Sequence, residues 1–209
     1  MAKPSQDELR IFAKAMRALA PMDDADIAKG AALLRVKELD KGERFLRAGT
    51  RATEVAIVTR GLLREHFVID DGTERTKAFI VEGEGSGSLA DLLSDGPSRA
   101  FIVADEPTRL LVVPYAELRA LALRSSAWDA LFRAALERLL VIKAEREWEL
   151  LALDAEQRYA RFRARYPDLE AHTLDKNVTS YLGITPTHLS RLRARRARAG
   201  TARSHRGTR

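Results

Sequence analysis

The residues with the clearest capacity for chemistry lie near the C-terminus, in the stretch 178–198, which reads VTSYLGITPTHLSRLRARRAR. Arginine can bind the O6 and N7 atoms of guanine with two hydrogen bonds, and it also binds backbone phosphates. Eight arginines and no acidic residue follow from residue 190 to the end. Because the whole chain carries +6, residues 1–189 carry about −2. This concentration of positive charge indicates a segment that contacts nucleic acid, or else a solvated basic tail.

The apolar pattern inside that stretch favours contact with nucleic acid. Gly183 can adopt the left-handed backbone that suits the tight turn of a helix–turn–helix. Thr185 can cap the following helix, and Pro186 suits its first position. Every position that such a motif buries around the glycine is apolar: Val178, Leu182, Ile184, Leu189 and Leu192. The sequence therefore predicts a helix–turn–helix whose second helix begins near residue 186.

The face of that second helix opposite its buried leucines is predicted to read DNA. Arg191 is expected to bind guanine, while serine, threonine and histidine suit mixed base and phosphate contacts. Arg193, Arg196 and Arg198 are expected to meet phosphates. The predicted DNA-binding residues are Thr187, His188, Ser190, Arg191, Arg193 and Arg195.

The elements before this motif change character along the chain. Residues 6–38 have the 3–4 spacing of helices, with a break near Pro21. Residues 39–113 alternate short apolar runs with glycines, and Asp71 and Gly72 predict a hairpin. An antiparallel sandwich or barrel is therefore expected in the first half.

Helices are predicted again in the second half. A short helix is expected to open at Pro114, and a long one follows over 127–154. The broad apolar surface of the long helix favours a dimer seam over a core helix that lies against its own sheet. Beyond Leu192 the composition predicts helix to about residue 199 and then a disordered basic tail, with no β-hairpin wing.

The composition argues against several classes of protein. The chain has no cysteine, which excludes disulfides, a thiolate nucleophile and cysteine-ligated clusters. Its four histidines are scattered and only His66 falls in the predicted β-domain, so neither a metal site nor an enzyme is expected. The sequence lacks a secretory signal and a long apolar run, so we expect a cytoplasmic protein with no membrane partner.

Several stretches resemble the Crp/Fnr family of bacterial transcription regulators. The most specific are RYARFRARYPDL and VTSYLGITPTHLSRLR, while KGERFLRAG and VAIVTRGLLREHFV resemble the family's early barrel strands. The resemblance implies an α+β fold: an N-terminal antiparallel β-roll of the cyclic-nucleotide-binding type, a long dimerisation helix and a C-terminal all-α helix–turn–helix domain. These parts correspond to residues 1–125, 126–154 and 155–209. A homodimer on double-stranded DNA, with RNA polymerase as a possible further partner, is also implied.

The stretch GSLADLLSDGPSRA is similar to the family's phosphate cassette, which resembles G-E-L-[AG]-L followed by R-S-A. Ser88 stands where the cassette has a glutamate for a ribose hydroxyl. Ser98 and Arg99 stand in reversed order, which on a strand would turn Arg99 to the opposite face. Ordinary cyclic AMP binding is therefore expected to be lost or weak. The resemblance implies effector-binding residues at Gly87, Ser88, Leu89, Ala90, Ser98 and Arg99.

Together these observations predict a dimeric, sequence-specific DNA-binding transcription regulator that does not respond to cyclic AMP in the usual way. Its effector is an unknown small molecule or none, and no cofactor is expected. The alternative is an effector-binding or protein-interaction module whose basic C-terminus tethers it to nucleic acid without specificity.

Overall fold

The computed structural model describes residues 3–94 and 96–204, with side chains up to residue 198. The chain divides into two compact units, Met1–Ala144 and Glu145–Arg209. Their boundary falls inside a long helix, whereas the sequence predicted three parts with boundaries after residues 125 and 154. That three-part division stays a prediction.

Within its described residues, the first unit contains eight strands in two sheets. The strands are β1 (Arg35–Leu39), β2 (Arg44–Leu46), β3 (Glu54–Arg60), β4 (Leu63–Val68), β5 (Glu74–Ile80), β6 (Gly85–Ser86), β7 (Phe101–Ala104) and β8 (Thr108–Pro114). All pairings are antiparallel, in the orders β1-β8-β3-β6 and β2-β7-β4-β5. This confirms the predicted antiparallel β-domain.

Apolar residues of both sheets face one another and form the core of the β-domain. Val58, Leu63 and Leu110 are completely buried there. The predicted hairpin joins β4 to β5 through residues 69–73. Gly72 has a φ of 82°, and its amide donates to the carbonyl oxygen of Ile69 at 2.8 Å. The turn therefore uses the backbone freedom for which glycine was expected at this position.

Five helices precede, interrupt or follow the strands up to residue 152. They are α1 (Gln6–Arg17), α2 (Asp24–Ala31), α3 (Leu89–Ser94), α4 (Tyr115–Ala122) and α5 (Ser126–Ala152). The prediction of helix up to residue 38 was wrong for residues 35–38, which belong to β1. Val36 and Leu39 are buried in this strand, which pairs with β8. Burial against the sheet overrides the local helical pattern there.

A second apolar core joins α1, α2 and the beginning of α5 to one sheet. Trp128 of α5 is almost completely buried, and its indole nitrogen donates to the carbonyl oxygen of Asp26 at 2.9 Å. The indole ring occupies the space beside Gly30, where a Cβ would lie only 2.1 Å from ring atom Cζ2. The ring of Phe12 stacks at a centroid distance of 6.4 Å. The absence of a side chain at Gly30 thus admits the tryptophan that anchors α5.

A buried ion pair attaches α1 to the sheet. Oε1 of Glu8 accepts from Nε of Arg109 at 2.6 Å and from the hydroxyl of Thr59 at 3.2 Å. Its Oε2 accepts from the backbone amide of Ser5 at 2.8 Å. Burial by itself would raise the pKa of Glu8, but the hydrogen bonds from Arg109 and Ser5 lower this pKa from 4.5 to about 2. The charged form is therefore the one that the fold stabilises.

The second unit is helical throughout its described residues. It contains the end of α5, α6 (Ala155–Arg165), a 3-10 turn (Leu169–Ala171), α7 (Asp175–Leu182) and α8 (Pro186–Ser204). Its centre is an aromatic cluster in which the ring centroid of Phe162 lies 5.6 Å from those of both Tyr166 and Tyr181.

No helix in the described ranges 3–94 and 96–204 combines the length and apolar character needed to cross a bilayer.

Replacing Gly30 with alanine should destabilise the first unit. In an unobstructed helix this change would stabilise by up to about 1 kcal/mol, because glycine is a poor helix former. Here the new Cβ would overlap the indole ring of Trp128, so we expect a net loss of about 1–3 kcal/mol in the free energy of unfolding. The measurement is urea denaturation. Gly85→Ala is the control, since a Cβ there would approach nothing closer than 3.9 Å. A stabilised Gly30→Ala protein would contradict the packing described.

Replacing Glu8 with glutamine should lower stability in a pH-dependent way. The pKa of Glu8 is depressed, so its contribution is complete above the unfolded value of 4.5 and disappears as the pH falls through about 2. We expect a loss of up to roughly 3 kcal/mol in the free energy of unfolding near pH 7. The loss should shrink towards zero near pH 2. Glu82→Gln, at an exposed position, is the control. A loss equal at both pH values would show that packing, not charge, is responsible.

Candidate nucleic-acid interface and effector pocket

The backbone of α7, the turn and α8 has the geometry that the sequence predicted. Gly183 has φ 67° and ψ 40°, in the left-handed region, and ends α7. The hydroxyl of Thr185 accepts from the backbone amide of His188 at 3.2 Å, and Pro186 is the first residue of α8. The glycine and the cap together determine where one helix stops and the next begins.

The apolar frame of the motif is buried, with one partial exception. Val178 and Leu182 of α7 and Leu189 and Leu192 of α8 have almost no exposed surface, while Ile184 in the turn is only half-buried. Thr179, a polar residue beside this frame, is also buried, and its hydroxyl donates to the carbonyl oxygen of Lys176 at 3.0 Å. The buried leucines direct the opposite side of α8 towards solvent.

Five of the six predicted DNA-binding residues are exposed on α8. A shallow concavity on this helix is lined by Thr185, Thr187, His188, Arg191, Leu192 and Arg195. Ser190 is exposed as well. Arg191 and Arg195 are four residues apart and therefore lie on one side of the helix. Arg195 also lies 3.7 Å from Glu156, but both side chains are about 70% exposed, so solvent weakens this pair.

Arg193 has a different environment from its neighbours. Its Nη1 and Nη2 atoms each lie 2.7 Å from a carboxylate oxygen of Asp175, and its Nε donates to Glu170 at 2.9 Å. The hydrogen bonds that Arg193 donates to Asp175 and Glu170 raise the pKa of its guanidinium. A phosphate contact at this residue would have to compete with two carboxylates. The sequence did not indicate these partners, because neither acid is near Arg193 along the chain.

The C-terminal segment is helical further than expected. The composition predicted helix to about residue 199, but α8 continues to Ser204. Arginine and alanine are strong helix formers, and they sustain the helix through this stretch. Residues 186–204 are all helical, so none of them forms a β-hairpin wing. The predicted disordered tail, from residue 205 on, lies outside the described residues.

In the β-domain, the two serines of the predicted effector site meet on one carboxylate. The hydroxyls of Ser88 and Ser98 both donate to Oδ2 of Asp91, the second at 2.6 Å. All three residues are buried. Burial alone would raise the pKa of Asp91, but the two hydroxyl hydrogen bonds and nearby Lys77 lower it. Asp91 was not among the predicted residues, although the S-x-x-D spacing at the start of α3 is a capping signal that could have identified it.

The other predicted effector residues do not join this cluster. Arg99 is exposed whereas Ser98 is buried. The prediction for Arg99 assumed a strand, whereas both residues precede β7, which begins at Phe101. Gly87 has a φ of 143°, and a Cβ there would lie 3.1 Å from the side chain of Val55. Leu89 is half-buried and Ala90 is exposed, both in the first turn of α3. The buried groups available to a ligand here are thus hydroxyls and a carboxylate rather than a guanidinium.

His66 lies on β4 inside a network of buried charges. Its ring stacks on that of Phe101 at a centroid distance of 5.4 Å. The neighbouring Arg64 is buried and pairs with Asp105 at 3.1 Å and with Glu74 at 2.8 Å. Burial and the charge of Arg64 lower the pKa of His66, which favours the neutral ring. This histidine is therefore part of the β-domain interior.

Comparison with known proteins agrees with this architecture. Residues 36–125 match the family model of the cyclic nucleotide-binding domain. None of the curated proteins has a sequence that matches this chain significantly.

Solved structures of bacterial regulators are similar to the chain. FixK2 from Bradyrhizobium japonicum is 20% identical, with 80% of this chain and 86% of that chain covered and a TM-score of 0.69. A CooA variant from Carboxydothermus hydrogenoformans is 20% identical, with coverage of 81% and 78% and a TM-score of 0.64. The catabolite activator protein from Thermus thermophilus is 23% identical, with coverage of 86% and 85% and a TM-score of 0.54.

FixK2, CooA and the catabolite activator protein are Crp/Fnr transcription regulators. At 20–23% identity, their likeness to this chain is a likeness of fold. Residues 36–125 thus match the cyclic nucleotide-binding domain family, and the chain shares the fold of these three Crp/Fnr regulators.

Proposed function

We propose that the protein is a dimeric, sequence-specific DNA-binding transcription regulator whose α8 enters the major groove. The observation that supports this most strongly is the exposed polar face of α8 on a buried apolar frame. Arg191 stands at the middle of this face and can form a bidentate pair with guanine. Thr187, His188 and Ser190 surround it with shorter groups suited to base edges and phosphates. Such a regulator acts where the DNA is, in the cytoplasm of a bacterial cell.

The phosphate-binding role is assigned to the arginines beyond the base-reading residues. Arg195 and Arg196 are exposed on α8 and can approach the DNA backbone. Arg193 is left out of this set because two carboxylates of its own unit hold its guanidinium. Arg193 instead connects α8 to Glu170, which precedes α7, and to Asp175, the first residue of α7.

Dimerisation is proposed along the later turns of α5. The first turns pack against their own unit, since Trp128 and Leu131 are buried in its core. Further on, apolar side chains are exposed: Leu140 at 69%, Val141 at 57% and Leu151 at 80%. A second copy of the same helix would cover them and bring two reading helices together, so that the DNA half-sites would lie about one helical turn apart.

The β-domain is proposed to have lost ordinary cyclic AMP recognition. Within the region that resembles a phosphate cassette, Ser88 and Ser98 are already hydrogen-bonded to Asp91. A cyclic phosphate near this carboxylate would meet like charge, and Arg99 is exposed rather than buried beside the two serines. The effector, if there is one, is a different small molecule.

Arg191→Ala should lose discrimination at one base position. Selection of bound sequences from random double-stranded DNA should yield a two-fold symmetric operator for the wild-type chain. Against that operator, we expect the variant to lose about 1–3 kcal/mol of binding free energy and its preference for guanine at a single position of each half-site. Arg138→Ala, which removes an equal charge from α5, should keep the preference. Enrichment of no sequence by the wild-type chain would contradict the proposed function, and uniform weakening in Arg191→Ala would make Arg191 a phosphate contact.

Cyclic AMP and cyclic GMP should bind weakly or not at all. Calorimetric titration of the purified chain is the measurement, and thermal unfolding of the same sample confirms that it is folded. We expect no micromolar affinity for either nucleotide, because the buried polar groups at the cassette are two serines and an aspartate. Micromolar or tighter binding of either compound would overturn this part of the proposal.

A further inference from the structure

The carbonyl groups at the end of α7 are satisfied in an uncommon way. A helix leaves its last four carbonyls without partners inside the helix. Of these in α7, the carbonyl of Thr179 accepts from the backbone amide of Ile184 at 3.1 Å, and that of Ser180 accepts from the amide of Gly183 at 3.4 Å. The last two, those of Tyr181 and Leu182, accept instead from arginine side chains of other helices. The turn between α7 and α8 is therefore held partly from outside the motif.

One of these arginines is Arg146 of α5. Its Nη2 donates to the carbonyl oxygen of Tyr181, and its guanidinium carbon lies 3.9 Å from the centroid of the Tyr181 ring. Nη1 lies 3.3 Å from a carboxylate oxygen of Glu149, one turn further along α5. The side chain of Arg146 is 19% exposed, so these contacts form largely out of water, where a guanidinium over an aromatic ring binds more strongly.

Two arginines of α6 complete the connection. Arg158 donates to the carbonyl oxygen of Leu182 at 3.0 Å and to that of Leu153, just beyond α5, at 2.6 Å. Arg161 pairs with Glu149 at 2.6 Å, and its guanidinium lies 5.3 Å from the ring centroid of Trp148. The last two turns of α5 are thus bonded to both α6 and the end of α7, within one compact unit.

We propose that Arg146 is a positioning residue for DNA reading: it fixes the α7–α8 turn to the end of α5. This inference rests on the proposed function. Arg146 makes two contacts with Tyr181 at once, and both require a planar guanidinium. One face of the guanidinium stacks on the Tyr181 ring, while its edge donates to the Tyr181 carbonyl. The end of α5 and the start of α8 then move as one body. If two copies associate along α5, the separation of their reading helices is determined by this contact rather than by the short connection between α5 and α6.

The first test does not involve DNA. Hydrogen exchange of the backbone amides of residues 180–188 is compared in the wild-type chain, Arg146→Ala and Arg146→Lys, with Arg138→Ala as the control on the same helix. We expect exchange in this segment to become on the order of tenfold faster in Arg146→Ala, with β3 and Arg138→Ala unchanged. Lysine keeps the charge but lacks the planar fork, so Arg146→Lys should resemble alanine more than wild type.

Several outcomes would overturn the proposal. Unchanged exchange at 180–188 in Arg146→Ala would show that the turn does not depend on Arg146. Full protection in Arg146→Lys would show that positive charge alone suffices. If Arg146→Ala is unfolded, exchange at 180–188 is compared between the wild-type chain and Arg146→Lys alone, since lysine retains the charge and the aliphatic stem.

The second test uses the operator selected by the wild-type chain. Its two half-sites are moved together or apart by about one base pair, and affinity is measured for each spacing and for an isolated half-site. A positioning role predicts that Arg146→Lys binds the half-site within about twofold of wild type but loses the preference for the original spacing. Retention of a sharp spacing preference would overturn the inference. If the wild-type chain selects no operator, the proposed function fails, while the exchange measurement still decides the role of Arg146.

Discussion

The left-handed turn at Gly183 is the constraint on which the arrangement of α7 and α8 depends. A residue with a Cβ would strain the backbone there, and a change in this turn would alter the angle between α7 and α8. That angle in turn decides which side of α8 is buried by Leu189 and Leu192. The packing of α7 and α8 around a small apolar core therefore determines which face of α8 is exposed. The exposed groups of α8 can vary without disturbing the fold, since none of the buried leucines belongs to them.

The β-domain resolves its buried charges internally. Buried Arg64 pairs with both Glu74 and Asp105, and Asp91 accepts hydrogen bonds from two serine hydroxyls. Buried ionised groups are costly unless each is paired or hydrogen-bonded. A domain whose interior is satisfied in this way can be stable before any ligand arrives. An effector that binds here must offer hydrogen bonds good enough to replace those already present.

Much of the fold and part of the site followed from local sequence patterns. The hairpin at Gly72, the cap at Thr185 and the buried frame around Gly183 each depend on residues within a few positions of one another. Strand β1 was missed because its burial comes from β8, more than 70 residues away, and nothing in residues 35–38 indicates that partner. Asp91 and the carboxylates around Arg193 were missed for a related reason. The chemistry of a charged side chain depends on which partners the fold brings to it, and periodicity carries no information about ionic partners.

If the chain binds DNA as proposed, the pairing of Arg193 with Asp175 and Glu170 also affects how strongly that binding depends on ionic strength. A cation that binds phosphate releases ions condensed on the DNA, and the number released sets the slope of affinity against salt concentration. Arg193 already pairs with two carboxylates. Moving it to a phosphate would leave those acids without their partner, and this cost would offset part of the binding free energy gained from the phosphate. The eight arginines from residue 190 onward therefore overstate the number of ions released. The sensitivity of this protein to salt should be set by fewer arginines than its C-terminal composition suggests.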